Sequence, residues 1–228
     1  ASRITQLLNT QKDMTHAISN ELRTPLARMK FGLEILEDSY DASLHEGLKQ
    51  DVAEMGSLID ELLHYARLEH GEQPLVRIEG DINETLDQII NRTQLLCQQQ
   101  GVELSLFADL ERPKQMADWH LLERAVTNLL TNAIRYADNT ILVSAWQADG
   151  NTYISVEDDG KGVALESANN VFAPFVRDTE NAPTSGFGLG LAITKQVMVK
   201  HNGDIQVGES PALGGAKFVL ILPEQGSP

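Results

Sequence analysis

Residues 186–195 read GFGLGLAITK, and the choice among nucleotide-binding folds turns on how those glycines are spaced and on what precedes them. A phosphate loop of the Walker type needs a glycine, four residues, then glycine, lysine and a hydroxyl residue. Lys195 stands five places after Gly190 instead of one, so that reading fails. A dinucleotide fingerprint needs a strand directly ahead of its first glycine, whereas a long loop with Pro174 and Pro183 leads to Gly186. What survives is a glycine-rich turn feeding a helix that starts near Leu189, whose free N–H groups and dipole suit a polyphosphate.

Working outward, residues 159–187 have little periodicity and are crowded with turn-formers, among them Gly160, Gly162, Asn169, Asn170 and Pro174. A loop of that length inside a compact domain is usually functional. Around it α and β signals alternate. Residues 75–78 read as a strand, 81–100 as a helix with Asp81 as N-cap and Gly101 past its end, and 102–107 as a strand. Residues 119–136 read as a helix, and 141–147 with 153–157 as two strands around an Asp149-Gly150-Asn151 turn. A helix over 189–201 and strands over 204–208 and 216–222 close the chain.

Upstream of Pro74 the texture is wholly helical. Apolar residues recur at steps of three and four from Ile4 through Ile18, Leu22, Met29 and Leu33, and again through Leu44, Leu48, Val52, Met55, Leu58 or Ile59, Leu62, Ala66 and Leu68. Two such seams make a helical hairpin that cannot cover its own apolar stripes, so a four-helix bundle from two chains, a homodimer, is expected. Gly71 and Pro74 mark a short link, dividing the chain into residues 1–70 and 75–228.

Length and composition bound the rest. At roughly 150 residues per domain, 228 allow one large domain or two small ones. With 33 acidic against 18 basic residues the formal charge is −15, which argues against nucleic acid or an anionic membrane face as partner. Cys97 cannot pair within the chain, and its neighbours Leu95 and Leu96 point to a buried thiol in a reducing compartment. No apolar run approaches the roughly 18 residues of a membrane span, so no membrane contact by these residues is expected. His16, His45, His64, His70, His120 and His201 form no zinc pattern.

The stretch SNELRTPLARM, residues 19–29, carries the second chemical signal. At about 100° per residue Asn20 lies away from Ile18 and Leu22, with Thr24 one turn above it and Glu21 beside it. Pro25 cannot donate to the Glu21 carbonyl, so the helix should bend there. An acid, a hydroxyl and a bend beside an exposed position make a reaction platform; the plain alternative is a solvated helix face with a tolerated proline. His16, one turn before Asn20, is a rival acceptor that lacks an adjoining glutamate.

ELRTPL on a helical hairpin, followed in order by NLLTNAIRYA (128–137), EDDGKG (157–162), FAPF (172–175) and GFGLGLAI (186–193), resembles the sensor histidine kinases over nearly the whole chain. THAIS (15–19) and PFVR (174–177) bring it near the group that contains EnvZ, CpxA and RstB. The fold that the resemblance implies is α+β: an α-helical hairpin, dimerising into a four-helix bundle, then an α/β sandwich of the kind shared with DNA gyrase, MutL and the large ATP-dependent heat-shock chaperone. It implies ATP and Mg²⁺ as cofactors and an aspartate on a response regulator's receiver domain as phosphoryl acceptor. It also implies regulator phosphatase activity, and a place as the cytoplasmic portion of a bacterial inner-membrane sensor.

The residue roles follow from the same likeness. Asn20 occupies the phosphoacceptor histidine's place, Glu21 would accept or orient the ring proton, and Thr24 would orient water for dephosphorylation. Asn132 would ligate magnesium with Asn128 assisting, Arg135 would reach a phosphate and Tyr136 would pack on the base. Asp158 would take the adenine amine, with Gly160 and Gly162 admitting the ring. A lid over about residues 176–187 would cover ATP and bring Arg177 to a phosphate, and Phe175, Gly186, Gly188, Leu189, Gly190 and Leu191 would also bind the nucleotide. From the residues alone, the Asn128/Asn132 pair is more often a polar surface patch, and EDDGKG reads also as a strand ending in an acidic turn. A carboxamide nitrogen is a poor nucleophile, so Asn20 is either a deliberate replacement in a working kinase or the mark of a natural pseudokinase. The first is favoured because the other motifs are complete. A sandwich-family ATPase would want a glutamate where Asn128 stands, and a bare docking scaffold would leave the nucleotide motifs without purpose.

Overall fold

The computed structural model describes residues 18, 21–33, 35, 42–71, 74–108, 110–164, 170–176 and 186–224. Residues 21–33 form helix α1, and α2 spans Ala42–Glu69. Arg28 ties the two together, its guanidinium 2.7 Å from Asp51 and 2.9 Å from Glu54.

The remainder runs β1 Ile78–Asp81, α3 Ile82–Gln100, β2 Glu103–Ala108, β3 Lys114–Ala117, α4 Trp119–Tyr136, β4 Thr140–Ala148, β5 Asn151–Asp158, α5 Gly190–Lys200, β6 Asp204–Glu209 and β7 Ala216–Pro223. A five-stranded sheet of order β2-β4-β5-β7-β6 is antiparallel except for the β2–β4 pair. Alternation on its strands buries Ile141, Val143, Ile154, Val156, Phe218 and Leu220 on one face. Helix α4 closes that face with Leu121, Leu122, Ala125, Leu129 and Leu130, flanked by α3 and α5. This two-layer solution covers one sheet face and leaves the other outward.

Local signals set the helix ends. Asp81 accepts from the Glu84 N–H and Asp118 from the Leu121 N–H, while Gly101 ends α3 in the left-handed conformation. Asp149 and Gly150 both take positive φ, 52° and 71°, as a two-residue hairpin requires.

Three expectations are corrected. The strand expected over residues 75–78 begins at Ile78 and pairs with β3 in a separate two-stranded sheet. Residues 74–77 instead strap across the helix ends: Val76 N–H donates to Asp118 Oδ2 at 3.0 Å and Arg77 to the Lys200 carbonyl at 3.4 Å. Cys97 is buried as expected, but Leu95 and Leu96 are exposed; on a helix, adjacent residues turn by 100° and do not share a face. Leu58 and Leu68, read as one seam with Val52, turn away from it. With Tyr65 they are buried in the same core as the sandwich, where α2 packs on α5. Val52, Ile59 and Leu63 form a second, exposed face of α2. Among the described residues no helix is long and apolar enough to cross a membrane.

Candidate functional site

Asp158 sits at the last position of β5 and is buried with its carboxylate turned inward. Its Oδ1 accepts from the Gly160 N–H at 3.0 Å and from the Ala216 N–H at 3.1 Å. Both bonds fall on one oxygen, so Oδ2 keeps its acceptor capacity for an amine brought by a ligand. Burial pushes the acid upward from the ordinary carboxylate range, against those two N–H groups, and Asp159 and Asp138 push the same way. Gly160 lies against the Tyr136 carbonyl so closely that any side chain there would collide.

The neighbouring acid has another task. Asp159 accepts from the backbone N–H groups of Asp138, Asn139 and Thr140 at 2.9–3.1 Å, fixing the turn between α4 and β4. Those backbone N–H groups more than offset its desolvation and hold it below the ordinary range. Of the two aspartates of the motif, one is therefore consumed by the fold and one keeps an oxygen outside its backbone hydrogen bonds.

On α4, the Asn128 amide donates to the Gly190 carbonyl at 3.0 Å, which joins α4 to the first residue of α5 and leaves the carboxamide oxygen as its remaining acceptor. Asn132 lies one turn on and is half-buried, as are Arg135 and Tyr136. The Arg135 guanidinium is against Gly186, where a Cβ would come within 2.5 Å of both terminal nitrogens. The start of α5 carries no side-chain cap, so its first N–H groups stay available to an anion.

Before α5, Phe175 takes φ 63°, unusual for a bulky residue, and donates its N–H to the Gly188 carbonyl at 2.9 Å. Gly188, at φ 71°, meets Phe175 and Val176 backbone where a Cβ would stand. These contacts bring both ends of the 176–187 loop together. The Leu189 side chain is wholly buried, so only its backbone can face a ligand. Gly162 is exposed, and Gly190 and Leu191 are half-buried. Glu21 and Thr24 lie on α1, half-buried and exposed respectively. Asn20, His16 and Arg177 lie outside the described residues.

A model of the histidine kinase A phospho-acceptor domain matches residues 10–71, and one of the histidine kinase-, DNA gyrase B- and HSP90-like ATPases matches 117–226. The chain belongs to the sensor histidine kinases. Sensor protein RstB of Escherichia coli K12 is 33% identical over 98% of this chain and 51% of its own length. The solved mycobacterial sensor histidine kinase MprB is 30% identical, covering 67% of this chain and all of that one, with a TM-score of 0.58. Full-length ShkA in complex with AMPPNP is 26% identical over 94% of this chain and 46% of that one, with a TM-score of 0.71. The chain spans about half the length of the curated relatives it matches. Helix α4 touches both segments, the acidic turn through the Tyr136 carbonyl against Gly160 and the glycine-rich helix start through Asn128 and Arg135.

Sequence reasoning missed what stands behind Asp158. Glu157, Ser210, Gly215 and Lys217 are grouped around the base of Asp158. The paired glycines 214 and 215, directly before a strand, were the signal that could have found them.

Proposed function

We propose that this chain is the core of a two-component sensor histidine kinase, with residues 1–70 as dimerisation and phosphoacceptor hairpin and 75–228 as ATP-binding domain. The observation that carries the reading is Asp158, buried, with Oδ1 filled by backbone N–H groups and Oδ2 open, in a domain that also holds an uncapped helix start tied to α4 through Asn128. An exocyclic adenine amine donates to Oδ2, Gly160 and Gly162 give the ring its approach, and Tyr136 packs beside it. The triphosphate runs toward α5, where N–H groups, Arg135 and, from the lid, Arg177 take its charge.

The donor set fits Mg²⁺: the carboxamide oxygens of Asn132 and Asn128 are neutral hard ligands that suit a cation whose remaining ligands come from phosphates. Once bound, the ion would neutralise charge on the phosphates. In a chain bearing histidine at position 20, an imidazole nitrogen attacks the γ-phosphorus in line. The bond to the ADP oxygen breaks as the P–N bond forms, and Glu21 takes or holds the ring proton. The phosphoryl group then passes to a response-regulator aspartate, with Thr24 orienting water for the reverse, dephosphorylating reaction. Asn20 makes the chain as it stands an acceptor-dead form of that enzyme. Exposed Leu26, Phe31, Val52, Ile59 and Leu63 on the hairpin supply the apolar surface for a homodimer. The curated relative's membership of the sensor proteins supports a cytoplasmic placement beneath a bacterial inner membrane.

Calorimetry tests the nucleotide assignment. ATP should bind with and without Mg²⁺, more tightly with it. Asn132→Ala should remove the metal-dependent increment, and Asp158→Ala should weaken both. Unaltered binding in both variants contradicts the assignment.

A further inference from the structure

Glu157 and Asp158 are adjacent on β5 and point to opposite faces of the sheet, yet both are tied to one six-residue turn. On the outward face, buried Glu157 accepts from the Ser210 hydroxyl at 2.7 Å and from the Lys217 ammonium at 2.8 Å. Lys217 also lies 5.6 Å over the Trp146 ring, which stacks on Tyr153 at 5.2 Å. Burial alone would raise the Glu157 carboxyl, but Lys217 and Ser210 more than offset it and keep the group ionised. Ser210 is itself buried. Its N–H donates to the Gly215 carbonyl at 2.8 Å, its carbonyl accepts from Gly214 at 2.9 Å, and its hydroxyl accepts from the Leu213 N–H at 3.0 Å. That one residue therefore closes the turn from 210 to 215 and anchors it to β5.

The far end of the same turn meets the inward face. Gly215 lies so close to Asp158 that a Cβ there would stand 2.5 Å from Oδ1 and 2.5 Å from the Gly160 nitrogen. The next residue, Ala216, gives Asp158 its second N–H bond. The carboxylate can be held with Oδ1 inward only while the backbone at 215 and 216 stays where the turn puts it.

We propose that Glu157 and Ser210 are positioning residues for nucleotide selection: acting through the 210–215 turn, they fix which oxygen of Asp158 faces the base, and so set the preference for a purine bearing an exocyclic amine. The proposal rests on the reading of Asp158 as the adenine contact and adds to it the residues that aim it. If the turn slackens, the Ala216 N–H moves off Oδ1, the carboxylate rotates, and the amine loses its acceptor while the triphosphate contacts at α5 are untouched.

Two ligands separate the possibilities: ATP, and purine riboside triphosphate, which has the same phosphates and sugar but no amine. Binding of both, with Mg²⁺, is measured by calorimetry for the unaltered chain, Ser210→Ala and Glu157→Gln. The unaltered chain should prefer ATP by about tenfold, the worth of one hydrogen bond to a buried carboxylate. In each variant ATP affinity should fall by about fivefold or more, with purine riboside triphosphate changing less than about twofold, so that the preference collapses. Equal weakening of both ligands, or a preserved preference in either folded variant, overturns the proposal. Absence of any preference in the unaltered chain overturns the adenine reading itself, a failure distinguishable from the first. Should Ser210→Ala fail to fold, Glu157→Gln, which keeps the shape and removes the charge, decides alone.

Discussion

At the scale of single residues, the acidic pair at 158 and 159 divides, in the proposed function, binding from folding. Asp158 keeps an oxygen for a ligand, while Asp159 spends both on backbone N–H groups of residues 138–140. Asp159→Ala should therefore lower stability by about 1–2 kcal/mol, the lower range for charged acceptors because the site is partly exposed, with no change in the ratio of ATP to purine riboside triphosphate affinity. Denaturant titration with paired calorimetry reads both quantities. A loss of nucleotide preference would show that the two acids had been assigned the wrong way round. From the sequence, EDDG announces an acidic turn but not this division, because the partners at 138–140 and 215–216 are distant in the chain.

At the scale of elements, helix ends and hairpins were legible because their signals are local. Asp81, Asp118, Gly101 and the Asp149-Gly150 pair each act on backbone within four residues. The β1–β3 pair was not legible: two four-residue strands meet across an intervening helix and strand, and neither is long enough to show alternation. The seam of α2 was visible but its division was not. A helix with two apolar faces gives one continuous periodic signal, and only packing reveals that Leu58, Tyr65 and Leu68 go to the sandwich while Val52, Ile59 and Leu63 do not.

The loop before α5 shows the same limit. Its length and turn-formers marked it as functional, but the Phe175–Gly188 clasp lies beyond local rules. Gly188→Ala should cost at least about 1–2 kcal/mol for the left-handed backbone alone, more because the new methyl would meet the Phe175 and Val176 backbone. It should also weaken ATP binding, as the clasp opens. Thermal unfolding with and without ATP checks this; an unchanged melting temperature would contradict the clasp.

At the scale of the whole molecule, two histidines, His201 buried and His64 half-buried, link acidity to stability. His201 joins α5 to the start of α4, with Nε2 accepting from the Asp118 N–H at 3.0 Å and the Nδ1–H donating to the Val197 carbonyl at 2.8 Å. Burial lowers its pKa; the Val197 bond and Asp118 work in the other direction and Arg77 adds to the lowering. His64, on α2 where it meets the sandwich, is lowered to about 4 by burial, then by Arg124, His120 and Arg67. In both cases the unfolded chain binds the proton more readily than the folded one. Their contribution is therefore complete above the unfolded value near 6.5 and is lost as pH falls from there toward the folded values. Melting temperature should decline between about pH 6.5 and 4, and His64→Leu should make that decline shallower. A flat profile over this window would contradict the neutral state of both rings in the folded chain.

The proposed function rests on position 20 as the phosphoacceptor place and on a nucleotide site around Asp158, and transfer of label from γ-labelled ATP tests both at once. The chain with Asn20 should bind ATP and take up no label. Asn20→His should become labelled through an acid-labile, base-stable phosphoramidate, and His16→Ala in that background should leave labelling largely intact. Label on the Asn20 chain itself, or an Asn20→His protein that binds ATP and stays unlabelled, would contradict position 20 as the phosphoacceptor.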